Sequence, residues 1–144
     1  MEKNTSRLAT EILRAKDMDA FDSSNAEAMI DPMGLGEFLS DMLELHGKTK
    51  KDIIQKSSID TTYGYQIFQG KKKHPSRDRL LCLAFAFPLT VEETKRLLYY
   101  GGCEALYPRV RRDAYLMFAL HNGYTLVETN LYLEDHGERA IGVS

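Results

Sequence analysis

The sequence has no long hydrophobic run. Its most apolar stretch, Leu80 to Leu89, is ten residues long, about half of the ~20 that a membrane-spanning helix needs. The polar start MEKNTSR contains no apolar signal region, so the expected location is cytoplasmic, with no membrane partner. Cysteine is scarce as well. Cys82 and Cys103 stand in no CxxC or Cys/His spacing, which argues against a disulfide framework and reads as two reduced core thiols. The four histidines, His46, His74, His121 and His136, include no i, i+4 pair to share a metal. His46 beside Gly47 and His136 beside Gly137 suit helix C-terminal ends, where a cation is favoured. There is no GxxxxGK[ST] phosphate loop, no HExxH, and no Ser or Cys in a paired nucleophile motif. Neither catalysis nor a cofactor is therefore expected.

What the chain does have is an ordinary globular composition and an uneven distribution of charge. Hydrophobic residues make up 43% and charged residues 28% of its 144 positions, enough for one soluble core. The net charge of -2 conceals three segments. Residues 1–47 hold four Lys/Arg against ten Asp/Glu, residues 80–144 hold six against eight, and residues 48–79 hold nine against three. A basic island is the footprint of a polyanion partner, because Lys and Arg at phosphates release condensed counterions. Taken alone, a charge run fits a solvated loop face better, so the position of these charges has to decide.

Periodicity and capping residues predict an all-α chain. Leu35, Phe38, Leu39, Met42 and Leu43 form one apolar stripe on a helix over Gly36 to His46, which Gly47 ends in a left-handed cap. Thr49 caps a short helix from Lys50 to Ser57, with Ile53 and Ile54 as its large apolar residues. Asp60 caps a third helix, Thr61 to Gln69, and Gly70 stops it. The link from Ser57 to Asp60 is the 3 to 4-residue turn that sets paired helices at a steep angle, the helix-turn-helix arrangement. Ser76 then caps a strongly apolar helix bearing Leu80, Leu81, Leu83, Ala84, Phe85 and Phe87, closed by Pro88. Upstream, a helix over 6–16 carries Leu8, Ile12 and Leu13 on one face, and the acidic, Ser/Asn/Ala-rich stretch 17–31 is expected to be mobile or a linker.

A shift of 35 residues lays 77–106 on 112–141 with ten identities in thirty positions. They include Arg77/Arg112, Asp78/Asp113, Thr90/Thr125, Glu93/Glu128, Thr94/Thr129 and Gly102/Gly137. Each copy reads as a helix, a turn, a Thr-x-x-Glu capping box and a second helix. The period is close to that of helical solenoids, and two copies are too few to stand alone, so the second hairpin is expected to stack on the first.

The first turn of a groove-reading helix carries the side chains nearest the bases. In the third helix these are Thr61, Thr62 and Tyr63, followed by Tyr65 and Gln66. Gln pairs bidentately with adenine, Thr meets several acceptors or a thymine methyl, and Tyr hydroxyls reach phosphates. Ile67 and Phe68 are expected to anchor the helix to the core. Gly64 lowers helix propensity by about 1 kcal/mol relative to Ala, which calls for close approach either to the preceding helix or to DNA. Basic residues bracket this helix. Lys48, Lys50 and Lys51 precede it at a helix N-terminus, where the dipole also favours phosphate, and Lys71, Lys72, Lys73, His74 and Arg77 follow it. Placed so, the charges point to nucleic acid.

The run LSDMLELHGKTKKDIIQKSSIDTTYGYQIFQGKKKHPSRDRLLCLAFAF, about a third of the chain, resembles the lambda-repressor-like, Xre-type helix-turn-helix regulators. The matching features are the Leu-rich first helix ending in Gly47, the Thr49 start, Ile53, Ile59 in the turn, Ile67 and Gly70, and Pro75 with Leu80, Leu81 and Ala84. The resemblance implies a five-helix domain whose third helix reads the major groove, often as a dimer on a two-fold site. Carried over by position, it implies that Thr61, Thr62 and Gln66 face bases, and that Lys50, Gln69 and Lys72 face backbone or groove edges. Three positions depart from the pattern: Ile54 replaces a small Ala, Ser58 a frequent turn Gly, and Phe68 a frequent Glu.

The expected fold is thus all-α: an N-terminal helix and acidic linker over 1–33, a helix-turn-helix core over 34–88, and two helical hairpins over 77–141 packed on that core. The expected function is a sequence-specific, double-stranded DNA-binding transcriptional regulator of bacterial type, with a homodimer following from symmetry logic. The rival is a protein-binding module that engages a partner through 89–141 or 1–33 and keeps the helix-turn-helix as scaffold. Tyr99, Tyr100, Tyr107, Tyr115, Tyr124 and Tyr132 favour it mildly, since tyrosine is enriched at interfaces.

Overall fold

The computed structural model describes residues 5–14 and 34–142, which fall in two units, residues 1–32 and 33–144. The described part of the first unit is one helix, α1 (Thr5–Arg14), with Ile12 and Leu13 exposed. The linker expected over 17–31, and the last residues of the helix expected over 6–16, lie outside the described residues. The second unit contains α2 (Leu35–His46), α3 (Lys50–Ser57), α4 (Thr61–Phe68), α5 (Arg77–Ala86), α6 (Val91–Tyr100), α7 (Arg111–His121) and α8 (Leu126–Asp135). No strand occurs among the described residues, so the fold class is all-α. The segments expected as a core and as hairpins belong to one unit.

Local chemistry ends each helix where capping residues stand. Gly47 turns left-handed at φ 63°, the Thr49 hydroxyl accepts the Asp52 N–H, the Asp60 carboxylate accepts the Tyr63 N–H, and the Ser76 hydroxyl accepts the Arg79 N–H. Each such cap satisfies a backbone donor that the helix itself leaves open. α3 ends on Ser58 at φ 62°, the one left-handed residue other than glycine among the described residues. The brief turn beyond it is pinned from within: Ile59 is buried, and its N–H donates to the Ser57 hydroxyl, which itself donates to the Ile54 carbonyl at 2.6 Å.

α5 is the pillar. Leu80 to Ala86 are all buried, because α3, α6 and α8 each pack against it, and a helix covered all round has no polar face to keep. α2 lies on α4 and α6. Its N-terminal turn meets the end of α4 so closely that a Cβ on Gly36 would stand 2.8 Å from the Phe68 carbonyl oxygen. His46, at the far end of α2, bonds Glu93 of α6 at 3.0 Å and packs on the Phe87 ring. It therefore ties two helices together as well as closing one.

The 35-residue repeat folds twice into the same hairpin. Thr90 and Thr125 share one N-cap geometry, φ/ψ −71°/167° and −72°/168°, and both close the reciprocal box with Glu93 and Glu128. Thr94 and Thr129 are both buried and both donate to the cap carbonyl at 2.8 Å. The relation between the copies differs from solenoid stacking. α5 packs on α8 and α6 packs on α7. Arg77 makes a two-pronged bond to Asp113 at 3.0 and 2.8 Å, and Arg112 pairs with Asp78 at 3.2 to 3.3 Å. The remaining bonds of this clasp match at the same offset. Arg77 donates to the carbonyls of Glu104 and Ala105, as Arg112 does to Arg139 and Ala140. The Tyr107 N–H donates to Asp113, as the Gly142 N–H does to Asp78.

Contacts that recur with the two partners exchanged are the mark of isologous, two-fold packing, whereas solenoid repeats pack head to tail. The second hairpin thus packs on the first face to face, as an internal pseudo-dimer, rather than in the head-to-tail order of a solenoid.

Candidate nucleic-acid interface

α4 separates its residues by depth. Gly64, Ile67 and Phe68 are buried, Thr61, Thr62 and Gln69 are exposed, and Tyr63, Tyr65 and Gln66 are half-buried. Thr62, Gln66 and Gln69 are spaced i, i+4, i+7 and so share one stripe, opposite the residues that anchor the helix. Gly64 sits against Ile54 of α3, which answers the choice the sequence left between the preceding helix and DNA.

The cations of the basic island divide into two groups. Lys48, Lys50 and Lys51 at the start of α3, and Lys71, Lys72 and Lys73 after α4, are all exposed. The second trio is held near the helix because the N–H groups of Lys71 and Lys72 both donate to the Gln66 carbonyl, at 2.9 and 3.2 Å. Two groups expected in the same row are committed elsewhere. His74 Nδ1 lies 3.3 Å from the Gly101 carbonyl oxygen at the end of α6. The Arg77 guanidinium is spent on Asp113, Glu104 and Ala105. Its bonds to Asp113 outweigh burial and raise its pKa further above the ordinary arginine value. Both residues join the segment after α4 to the hairpins.

Tyr63 also has a different setting from the one expected. Its ring lies under the Arg79 guanidinium at 4.2 Å, with the Lys72 ammonium 5.7 Å from its centre, cation–π distances both. Tyr63 thus holds two cations beside the first turn of α4, and Arg79 enters the surface as a residue that sequence reasoning did not assign. The only sequence signal for Arg79 was its membership of the basic island. An open cleft of about 650 Å³ flanks the region, and its lining includes Glu37 and Asp41 of α2 as well as Lys72 and Lys73.

Among the described residues no cluster of His, Cys, Asp and Glu is arranged to hold a metal. Burial pushes the Cys82 thiol up to about 12 and also raises Cys103, so neither is a thiolate nucleophile at neutral pH. No helix among the described residues is long and apolar enough to cross a membrane. The chain matches no protein-family model, no curated protein and no solved structure.

Proposed function

We propose that the protein is a non-enzymatic, cytoplasmic transcriptional regulator of the lambda-repressor-like, Xre type, which reads double-stranded DNA with α4 in the major groove. In this reading α3 and α4 are the helix-turn-helix pair, and α2 to α6 are the five-helix domain. The observation that carries it is the polar stripe of α4, exposed at Thr62 and Gln69 and half-buried at Gln66, with one trio of exposed lysines before it in the chain and another after it. Thr61, Thr62 and Gln66 meet base edges. Lys48, Lys50, Lys51, Lys71, Lys72 and Lys73 meet phosphates on either side, with Gln69 at the groove edge. Tyr63 and Arg79 belong to the phosphate-facing flank rather than to the bases, because the ring is stacked on the cation.

Selection from random duplexes at low salt tests this. Enriched sequences are expected, with affinity falling steeply as salt rises. Gln66→Ala should relax preference at about one base pair, a loss of roughly 1–3 kcal/mol there. Lys72→Ala should weaken all sequences alike and lower the salt slope by about one. Retention of no DNA and enrichment of no sequence would leave the protein-binding module as the reading to pursue.

A further inference from the structure

The 35-residue offset allows the outer surfaces of the two hairpins to be compared position by position. In the first hairpin Leu80, Leu83, Leu89 and Leu97 are at most 2% exposed, inside the core completed by α3 on α5 and α2 on α6. Their equivalents in the second are Tyr115, Phe118, Tyr124 and Tyr132. Three of these are half-buried and Phe118 is 46% exposed. The rings pack on one another, with Phe118 at 5.8 Å from both Tyr124 and Tyr132, and Tyr132 at 5.5 Å from Tyr115. Beside them Val127 is 70% and Leu131 58% exposed, where the first hairpin carries Glu92 and Arg96. A repeat that merely ends an array presents a polar outer face. This one presents aromatic and aliphatic side chains, the composition of an interface core.

The charges on the same face complement each other across a two-fold axis. Arg111 is exposed at the start of α7, on the i, i+4, i+7 stripe of Tyr115 and Phe118. On α8, Glu128 and Asp135 are exposed seven positions apart, with Leu131 and Tyr132 between them. Because α7 and α8 form a hairpin, the end of α7 that bears Arg111 adjoins the end of α8 that bears Asp135. A two-fold axis running along the helices sets α7 of one copy on α8 of the other and brings Arg111 to Asp135 twice. In the first hairpin the equivalent of Glu128 is Glu93, which His46 of α2 meets at 3.0 Å. Glu128 itself bonds only within its Thr125 capping box among the described residues.

We propose that a second copy of this chain covers this face, hairpin against hairpin, about a two-fold axis parallel to α7 and α8. The proposal stands apart from DNA reading, and its test contains no DNA. Sedimentation equilibrium of the full chain is expected to show a reversible dimer of twice the 16.4 kDa chain mass. The double substitution Phe118→Glu, Leu131→Glu should weaken dimerisation by about tenfold or more, the effect of losing one interface anchor. Its circular dichroism should stay that of the parent. Charge exchange separates association from folding: Arg111→Asp and Asp135→Arg each weaken the dimer, and the two together restore it. A chain that stays monomeric at about 100 μM, a hundredfold above a micromolar dissociation constant, overturns the proposal. So does a dimer indifferent to all of these substitutions, a charge-exchanged double variant as weak as the single ones, or a monomer whose face binds a helix from another protein.

Discussion

A Cβ built on Gly64 would lie 2.7 Å from Ile54 Cγ2 and 3.0 Å from Cγ1. Ile54 is buried, and a β-branched side chain in a helix strongly prefers a single χ1 rotamer, so it has little freedom to retreat. Gly64→Ala gains up to about 1 kcal/mol of helix propensity and incurs an overpacking penalty of roughly 1–3 kcal/mol, so net destabilisation is expected. Ile54→Ala alone should lose about 2–5 kcal/mol to a cavity. The two residues share one volume, and the double variant should therefore be at least ~1 kcal/mol more stable than the sum of the single losses predicts. Urea denaturation of the four proteins measures this coupling, and simple additivity would sever the pair. Sequence reading had met both halves separately, Gly64 as a helix weakness and Ile54 as a departure from a family pattern. What it lacked was the distance across the turn at 58–60. The same blindness applies to Arg77. Nothing in the island of positive charge reveals that its carboxylate partner stands at 113, whereas caps such as Thr49, Asp60 and Ser76 were legible because donor and acceptor lie three residues apart.

Between elements, the Arg–Asp clasp is the joint on which the two hairpins meet. Asp113 is almost wholly buried. Burial pushes its pKa up, and the bonds from Arg77 and from the Tyr107 N–H more than reverse that, leaving the carboxyl below the usual range. A carboxyl lowered in the folded state contributes stability that is fully present above its unfolded value of about 3.9, and loses it as pH falls through the folded value. Glu93 behaves alike: burial raises it, while the Thr90 N–H and His46 bring it below its ordinary value. Thermal melts should therefore fall on acidification below about pH 4. Asp113→Asn removes the carboxylate that Arg77 grips with both prongs and should destabilise by roughly 1–3 kcal/mol at pH 7, a deficit that narrows with falling pH. Parallel melting curves for the two proteins from neutral to acid pH would show that the clasp carries no such charge. The repeat itself was legible in the sequence through ten identities, but its symmetry was not, since a period records that two units are alike and not how they face.

At the level of the whole molecule, α4 and the hairpins belong to one compact unit. Phe38 of α2 packs on the Tyr100 ring of α6 at 5.1 Å, Leu80 of α5 fills the space that a side chain on Gly101 would need, and His46 bridges to Glu93. A chain ending at residue 88 loses α6, α7 and α8 and uncovers Phe38, Leu80 and Phe87 together. At about 1.5–3 kcal/mol for each such side chain, the exposure is comparable to the 5–15 kcal/mol that holds a typical domain folded. The segment 34–88, which carries every residue proposed to touch DNA, should accordingly show no cooperative melt. The segment 34–142 should show a single one. Calorimetry of the two settles the matter, because a sharp transition in the shorter segment would make the hairpins an appendage. If the longer segment alone melts cooperatively, a substitution in the clasp that lowers stability must lower the ratio of folded to unfolded α4 by the same factor as that of the whole unit, and clasp variants should lose the proposed DNA retention on heating in step with their melts.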